Sequence, residues 1–145
     1  MRRLMCVIPV LVLLVACGGD SNPAGPSNTP IPPQPYTATD LRVGTGAEAV
    51  VGKAITVHYA VWLFSPTGAD NKGTLVGTSV GGNPFGFTVG GTGTIPGFDR
   101  GVVGMKVGGV RRLIVPPDLA YGAAGNQNIP PNSNLVFEIE LLSVQ

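Results

Sequence analysis

Ala54-Ile55-Thr56-Val57-His58-Tyr59-Ala60-Val61-Trp62-Leu63-Phe64 is the stretch that decides the fold class of this chain. β-Branched and aromatic residues fill it, and neither Gly nor Pro interrupts it, so it reads as a long strand. Working outward, Thr37–Val43, Leu75–Ser79, Phe85–Val89, Val110–Val115 and Leu135–Val144 are shorter runs of the same character. Turn-rich segments separate them, including a polar loop over Ser65–Gly73. In the last run Val136, Glu138 and Glu140 alternate with Phe137, Ile139 and Leu141, the period of a strand with one partly polar face. Only Phe98–Met105 suggests a helix, with Phe98, Val102 and Met105 on one side. Gly101 and Gly104 weaken it, so it should be about two turns long and depend on packing. The expected architecture is α+β, an antiparallel β-sheet wrapped around one short α-helix.

Composition agrees. The chain has 145 residues, enough for one domain. Its 22 glycines and 14 prolines suit turns and strand ends better than long helices. Charged residues make up only 12% and the net charge is +1, which gives no electrostatic case for nucleic acid or an acidic substrate. Both cysteines, Cys6 and Cys17, precede the strands. The folded part therefore has neither a disulfide nor a thiolate metal site to rely on.

The first segment has a separate character. Arg2 and Arg3 precede an apolar run, Leu4–Val15, then Ala16 and Cys17. That is the layout of a secretory signal peptide, and it is too short for a membrane span of about 20 residues. Leu14-Val15-Ala16-Cys17 resembles the lipobox of bacterial lipoproteins. The resemblance implies lipidation of Cys17, a membrane anchor at a new N-terminus and, with Gly18 rather than Asp next, the outer membrane on its periplasmic side. Residues 18–36 are rich in Pro, Gly and Ser and read as a tether, roughly 50 Å long if extended at about 3 Å per residue. The chain thus divides into a signal at 1–17, a tether at 18–36 and a folded domain at 37–145.

A series of strings then follows in order. They are Val57-His58-Tyr59, Asn83-Pro84-Phe85-Gly86-Phe87, Ile95-Pro96-Gly97-Phe98-Asp99-Arg100-Gly101, Gly104-Met105-Lys106-Val107-Gly108-Gly109, Arg112-Leu113-Ile114-Val115-Pro116, Leu119-Ala120-Tyr121-Gly122, and Ile129–Glu138. Together they resemble the FKBP-type peptidyl-prolyl cis-trans isomerases over nearly everything after residue 37. The resemblance implies an isomerase of X-Pro bonds that uses no metal or cofactor, with proline-containing polypeptides as clients and macrolides of the tacrolimus type as inhibitors. Carried over, the pocket is Tyr59, Phe85, Ile95, Phe98, Tyr121 and Phe137, with Thr94 and Ile129 as further substrate-binding positions. Phe98 is the floor, Phe85 and Phe137 are walls, and the Ile95 N–H and Tyr121 hydroxyl face substrate carbonyls. Each aromatic residue taken alone reads as core packing.

The chain departs from the family pattern at Leu75-Val76, where relatives carry Phe-Asp. Val76 cannot accept a hydrogen bond, and Asp70 in the preceding long loop is a substitute to be tested against geometry. The segment around Asn126-Gln127-Asn128 is also shorter than usual. His58 alternates with Tyr59, so if Tyr59 faces the pocket His58 does not. Gly90-Gly91-Thr92-Gly93 lacks the Lys-Ser/Thr of a phosphate loop. Two other functions remain: a catalytically weak proline-peptide-binding or chaperone module, and a scaffold without an open pocket.

Overall fold

The computed structural model describes residues 30–145. Cys6, Cys17 and most of the expected tether lie outside the described residues. Six strands form one antiparallel sheet: β1 (Thr37–Arg42), β2 (Ala54–Phe64), β3 (Lys72–Thr78), β4 (Phe85–Thr88), β5 (Val110–Val115) and β6 (Leu135–Val144). The helix α1 (Pro96–Val102) lies between β4 and β5 in the chain. The sheet order is β1-β5-β6-β2-β3, with β4 also on β2. The expected architecture is therefore found, and β2, β5 and β6 have the bounds read from the sequence.

β2 organises the sheet because it is long enough to serve three partners. One edge pairs with β6 from Ile55–Val144 to Leu63–Leu135. The other edge is divided, with Ala54–Val57 pairing to β4 and Ala60–Phe64 to β3. Ser79 closes the gap at Tyr59: its Oγ accepts the Tyr59 N–H at 3.0 Å and its N–H donates to the Tyr59 carbonyl at 2.9 Å.

Strand alternation sorts the side chains. Ile55, Val57 and Val61 face the helix and are buried with Leu113, Val115, Phe137, Ile139 and Leu141. The other face carries charge. Glu138 Oε1 lies 2.6 Å from Lys72 Nζ and 2.9 Å from Arg112 Nη2, and Arg112 also meets Asp70 Oδ2 at 3.0 Å. Burial pushes the Glu138 carboxyl up, but the hydrogen bonds from Lys72 and Arg112 outweigh it and hold it below the usual carboxylate value. This pairing stabilises the fold above the unfolded carboxylate pKa and is lost as pH falls through the lowered folded value.

Two elements differ from the sequence reading by more than one residue at an end. The helix starts two residues before Phe98 and stops at Val102, not at Met105. Pro96 fits the first turn, where no N–H is needed, and Gly104, at φ +80°, turns the chain away. Met105 is still buried, but from the turn beyond the helix. β3 begins at Lys72, inside the expected polar loop. Local bonds make that loop a tight reversal: Gly68 N–H donates to Ser65 Oγ at 3.1 Å and Ser65 N–H to the Asn71 carbonyl at 2.8 Å. At the other end, residues 31–36 dock on the domain, so the docked stretch begins six residues before the boundary drawn from the sequence.

The helix lies close on β5 because Gly97 and Gly101 present no side chain there. A Cβ at Gly97 would collide with Val115 and meet the Leu119 carbonyl at 3.0 Å, and one at Gly101 would collide with Leu113. Alanine has a helix propensity about 1 kcal/mol better than glycine, yet Gly97→Ala is expected to destabilise the domain by about 1–3 kcal/mol through overpacking. Urea unfolding checks this, and a more stable Gly97→Ala protein would contradict the close-packing account.

Candidate active site

The concave face of the sheet is not completely filled. A cavity of about 310 Å³ opens beside α1, between β2, β3 and the loops that precede α1 and β6. All eight pocket positions named from the sequence line it: Tyr59, Phe85, Thr94, Ile95, Phe98, Tyr121, Ile129 and Phe137. Val61, Val76, Gly77, Gly93, Asn126 and Asn128 complete the lining. None of these fourteen residues is charged.

Phe98 is the floor. It is 4% exposed and lies at the centre of an aromatic cluster. Its ring centroid is 5.4 Å from Phe137, 5.6 Å from Phe87, 5.9 Å from Tyr59 and 6.4 Å from Phe85. Three of these contacts are edge-on, the arrangement in which a positive ring edge meets a negative face. Tyr59 also meets Phe85 edge-on at 5.9 Å. Phe87 was not among the sequence-named residues: it stacks on Phe85 at 5.5 Å and supports that wall from behind. Its position two residues after Phe85 was the available signal.

Ile95 is the residue that caps α1. Its backbone is extended, and its carbonyl accepts N–H bonds from Phe98 and Asp99, both at 3.1 Å. Its own N–H lies outside the bonds of the helix and is available at the pocket edge. Asp99 Oδ1 accepts the Gly90 N–H at 2.8 Å, which ties the glycine-rich loop to α1 and so positions Thr94 and Ile95. Gly93, the last residue of that loop, lines the cavity. Thr94 Oγ1 is buried without a hydrogen-bond partner among the described residues.

The opposite rim is the segment from Tyr121 to Ile129. Asn126 Oδ1 accepts the N–H groups of Asn128 and Ile129 at 3.0 and 2.9 Å, a side-chain-built turn that holds this rim together. Ile129 is buried, whereas Tyr121 is 36% exposed, so its ring stands at the mouth. Val61 and Gly77 were missed by the sequence reading. Val61 shares the Tyr59 face two residues on, and Gly77 is its partner in the β2–β3 ladder.

Three further residues can now be placed. Val76 does line the cavity. Asp70 does not; it is ion-paired to Arg112, on the face opposite Phe137, and does not supply an acid to the pocket. His58 points away from the pocket, its Nδ1 3.2 Å from Ser79 Oγ. No group of His, Cys, Asp and Glu capable of holding a metal occurs among the described residues.

An antiparallel sheet packed on one short helix, with an uncharged aromatic cavity at the helix start, makes this an α+β domain with an apolar ligand cleft. Residues 46–142 match the family described as FKBP-type peptidyl-prolyl cis-trans isomerase. The chain belongs to that family. It is 48% identical over 110 residues to the chloroplastic peptidyl-prolyl cis-trans isomerase FKBP16-4 of Arabidopsis thaliana, covering 73% of this chain and 46% of that protein. It is 45% identical over 107 residues to an FK506-binding protein of Neisseria meningitidis serogroup A, covering 72% of this chain and 92% of the relative. The chain thus spans about half the length of the plant relative and nearly all of the Neisseria one. Among solved structures, AtFKBP13 matches with a TM-score of 0.65 and 34% identity over 76% of this chain and 93% of that one. FkpA from Escherichia coli matches with 0.63 and 36% over 76% of this chain and 48% of that one.

Replacing Phe98 with Ala should remove the floor and the contacts to four rings. The expected loss is about 3–5 kcal/mol of stability, with tacrolimus binding weakened as well. Tyr121→Phe should leave the fold intact and weaken proline-peptide binding by about 1 kcal/mol, the net value of one hydrogen bond. Calorimetric titration with tacrolimus and a proline peptide checks both, and wild-type affinity in folded Phe98→Ala would refute the floor assignment.

Proposed function

We propose that this domain catalyses cis–trans isomerisation of X-Pro bonds in polypeptides of the cell envelope, assisting their folding. The observation that carries the reading is the uncharged aromatic cavity over Phe98. Peptide-bond rotation faces a barrier of about 18–20 kcal/mol because the planar amide is resonance-stabilised. No covalent bond breaks, so neither a nucleophile nor a metal is needed. The twisted amide has lost its resonance and is less polar than the planar form, so a dry aromatic cavity favours it. Each 1.4 kcal/mol of such preference is a tenfold gain in rate. In this reading Phe85 and Phe137 hold the proline ring over Phe98 and Tyr59. The Ile95 N–H and the Tyr121 hydroxyl hold flanking carbonyls, while Thr94 and Ile129 shape the site.

Residues 1–17 support secretion and lipidation at Cys17, with the Pro-rich stretch from residue 18 to 36 as the tether. In this reading the domain works from the periplasmic side of the outer membrane. Cys17→Ser should give an unprocessed or soluble protein that incorporates no fatty acid. Maturation and acyl labelling of the Cys17→Ser protein would rule the anchor out.

Val76 favours a second reading, a module that binds proline segments but turns them over slowly. The pocket edge has no carboxylate, and one hydrogen bond involving a charged group is worth about 1.5–3 kcal/mol. Isomerisation of a proline peptide by the full chain, followed with time, distinguishes the readings. The wild type should be active, Val76→Asp should be roughly ten- to hundredfold faster, and Asp70→Ala should match the wild type. Loss of activity on Asp70→Ala would overturn this picture, and equal rates in all three would assign nearly all the catalysis to the aromatic surface.

A further inference from the structure

The segment Ile31-Pro32-Pro33-Gln34-Pro35-Tyr36 lies before the family-matched region, yet it is bound to the domain at both of its ends. Asn134, only 4% exposed, uses its whole side-chain amide on this segment. Its Oδ1 accepts the Gln34 N–H at 2.7 Å, and its Nδ2 donates to the Pro32 carbonyl at 3.0 Å and reaches the Ile31 carbonyl at 3.5 Å. Two residues on, the Tyr36 hydroxyl donates to the Gly97 carbonyl at 3.2 Å. The Arg100 guanidinium stacks over the Tyr36 ring at 4.8 Å. The ring also packs against the core. Three prolines preset this backbone and have no N–H to satisfy, so docking it orders little that was free. Of its carbonyls, Asn134 takes up those of Ile31 and Pro32.

The two anchors lie behind opposite sides of the pocket. Gly97 sits between Ile95 and Phe98. An open groove separates Pro30–Pro33 from Pro117, Gly122, Ala123 and Asn132. The link to the Tyr121 loop runs through Asn134 itself, two residues after Asn132, whose N–H donates to the Gly122 carbonyl at 2.8 Å, as the Gly122 N–H does to the Pro117 carbonyl at 2.8 Å. We propose that residues 31–36 are a brace that positions the two halves of the proline pocket, with Tyr36 a positioning residue for Ile95 and Phe98 and Asn134 one for the Tyr121 loop. The inference rests on the isomerase reading of the cavity. Without the brace the halves separate part of the time, and apparent affinity falls by the fraction of time the pocket is competent. Substrate that does bind turns over as before.

The test uses the full chain with Tyr36→Ala, Tyr36→Phe and Asn134→Ala, at a temperature where each is folded. Tyr36→Ala and Asn134→Ala should raise KM for a proline peptide and weaken tacrolimus binding by the same factor, about fivefold, the equivalent of one ordinary hydrogen bond. kcat should stay near the wild-type value. Amide exchange at Phe98, Gly122 and Asn132 should accelerate. Tyr36→Phe keeps the ring on Arg100 and should show a smaller shift of the same kind, so it reads the Gly97 contact even if Tyr36→Ala does not fold. A lowered unfolding midpoint with unchanged KM, tacrolimus affinity and exchange would show that the segment only adds stability and would overturn the brace. A wild type that neither isomerises nor binds tacrolimus would defeat the functional reading alone, and the exchange data would then decide the brace by themselves.

Discussion

The contact on which the site depends is the bare face of α1 against β5. A seven-residue helix is far shorter than any that is stable by itself in water, and its two glycines are poor helix formers. They are there because the missing Cβ atoms let the helix backbone settle onto Val115 and Leu113. That depth sets where Phe98 lies. With the helix seated, the Phe98 ring reaches four other aromatic rings and closes the bottom of the cavity. Ile95, one residue before the helix, is fixed by the same seating. Local propensity is given up so that one ring and one N–H stand at defined places.

The second constraint is the sorting of charge. Strand period two sends Phe137 and Ile139 inward and Glu138 and Glu140 outward. Arg112 and Lys72 meet Glu138 on the outer face and Asp70 meets Arg112 there, leaving no charged side chain in the cavity lining. The separation matters for the chemistry. In a dry cavity, neutral rings favour the less polar twisted amide over the polar planar one. The same alternation therefore serves the fold's ion pairs on one face and the uncharged cavity on the other.

Much of this was legible in the sequence because the signals are local. β2, β5 and β6 are dense in β-branched and aromatic residues, and their bounds came out as read. The eight pocket positions were legible through a family resemblance, not through any property of single aromatic residues. What was not legible depends on contacts between distant residues. β3 starts early because Ser65, Gly68 and Asn71 bond to one another in a polar stretch with no hydrophobic pattern. The helix ends at Val102 because Gly104 turns left-handed, and Met105 is buried by the turn rather than by helical periodicity. The docking of residues 31–36 was hidden because a proline-rich string reads as a tether until its partner, Asn134, about a hundred residues away, is known.

Val76 shows where a family pattern and this chain's own geometry have to be weighed separately. The sequence offers Asp70 only six positions before Val76, and proximity along the chain suggests a substitute. Strand geometry removes that option. Val76 faces the cavity, while Asp70 is held by Arg112, whose neighbour Leu113 is the residue that faces inward. To reach the pocket, Asp70 would have to leave its ion pair and pass to the other side of the sheet. The polar side chains that do line the cavity are neutral: Tyr59, Thr94, Tyr121, Asn126 and Asn128. Of these, Asn126 is already committed to its own turn. Under the proposed isomerisation, stabilisation of the twisted amide has to come from desolvation against the rings and from neutral hydrogen bonds at the rim, and not from a carboxylate at the edge.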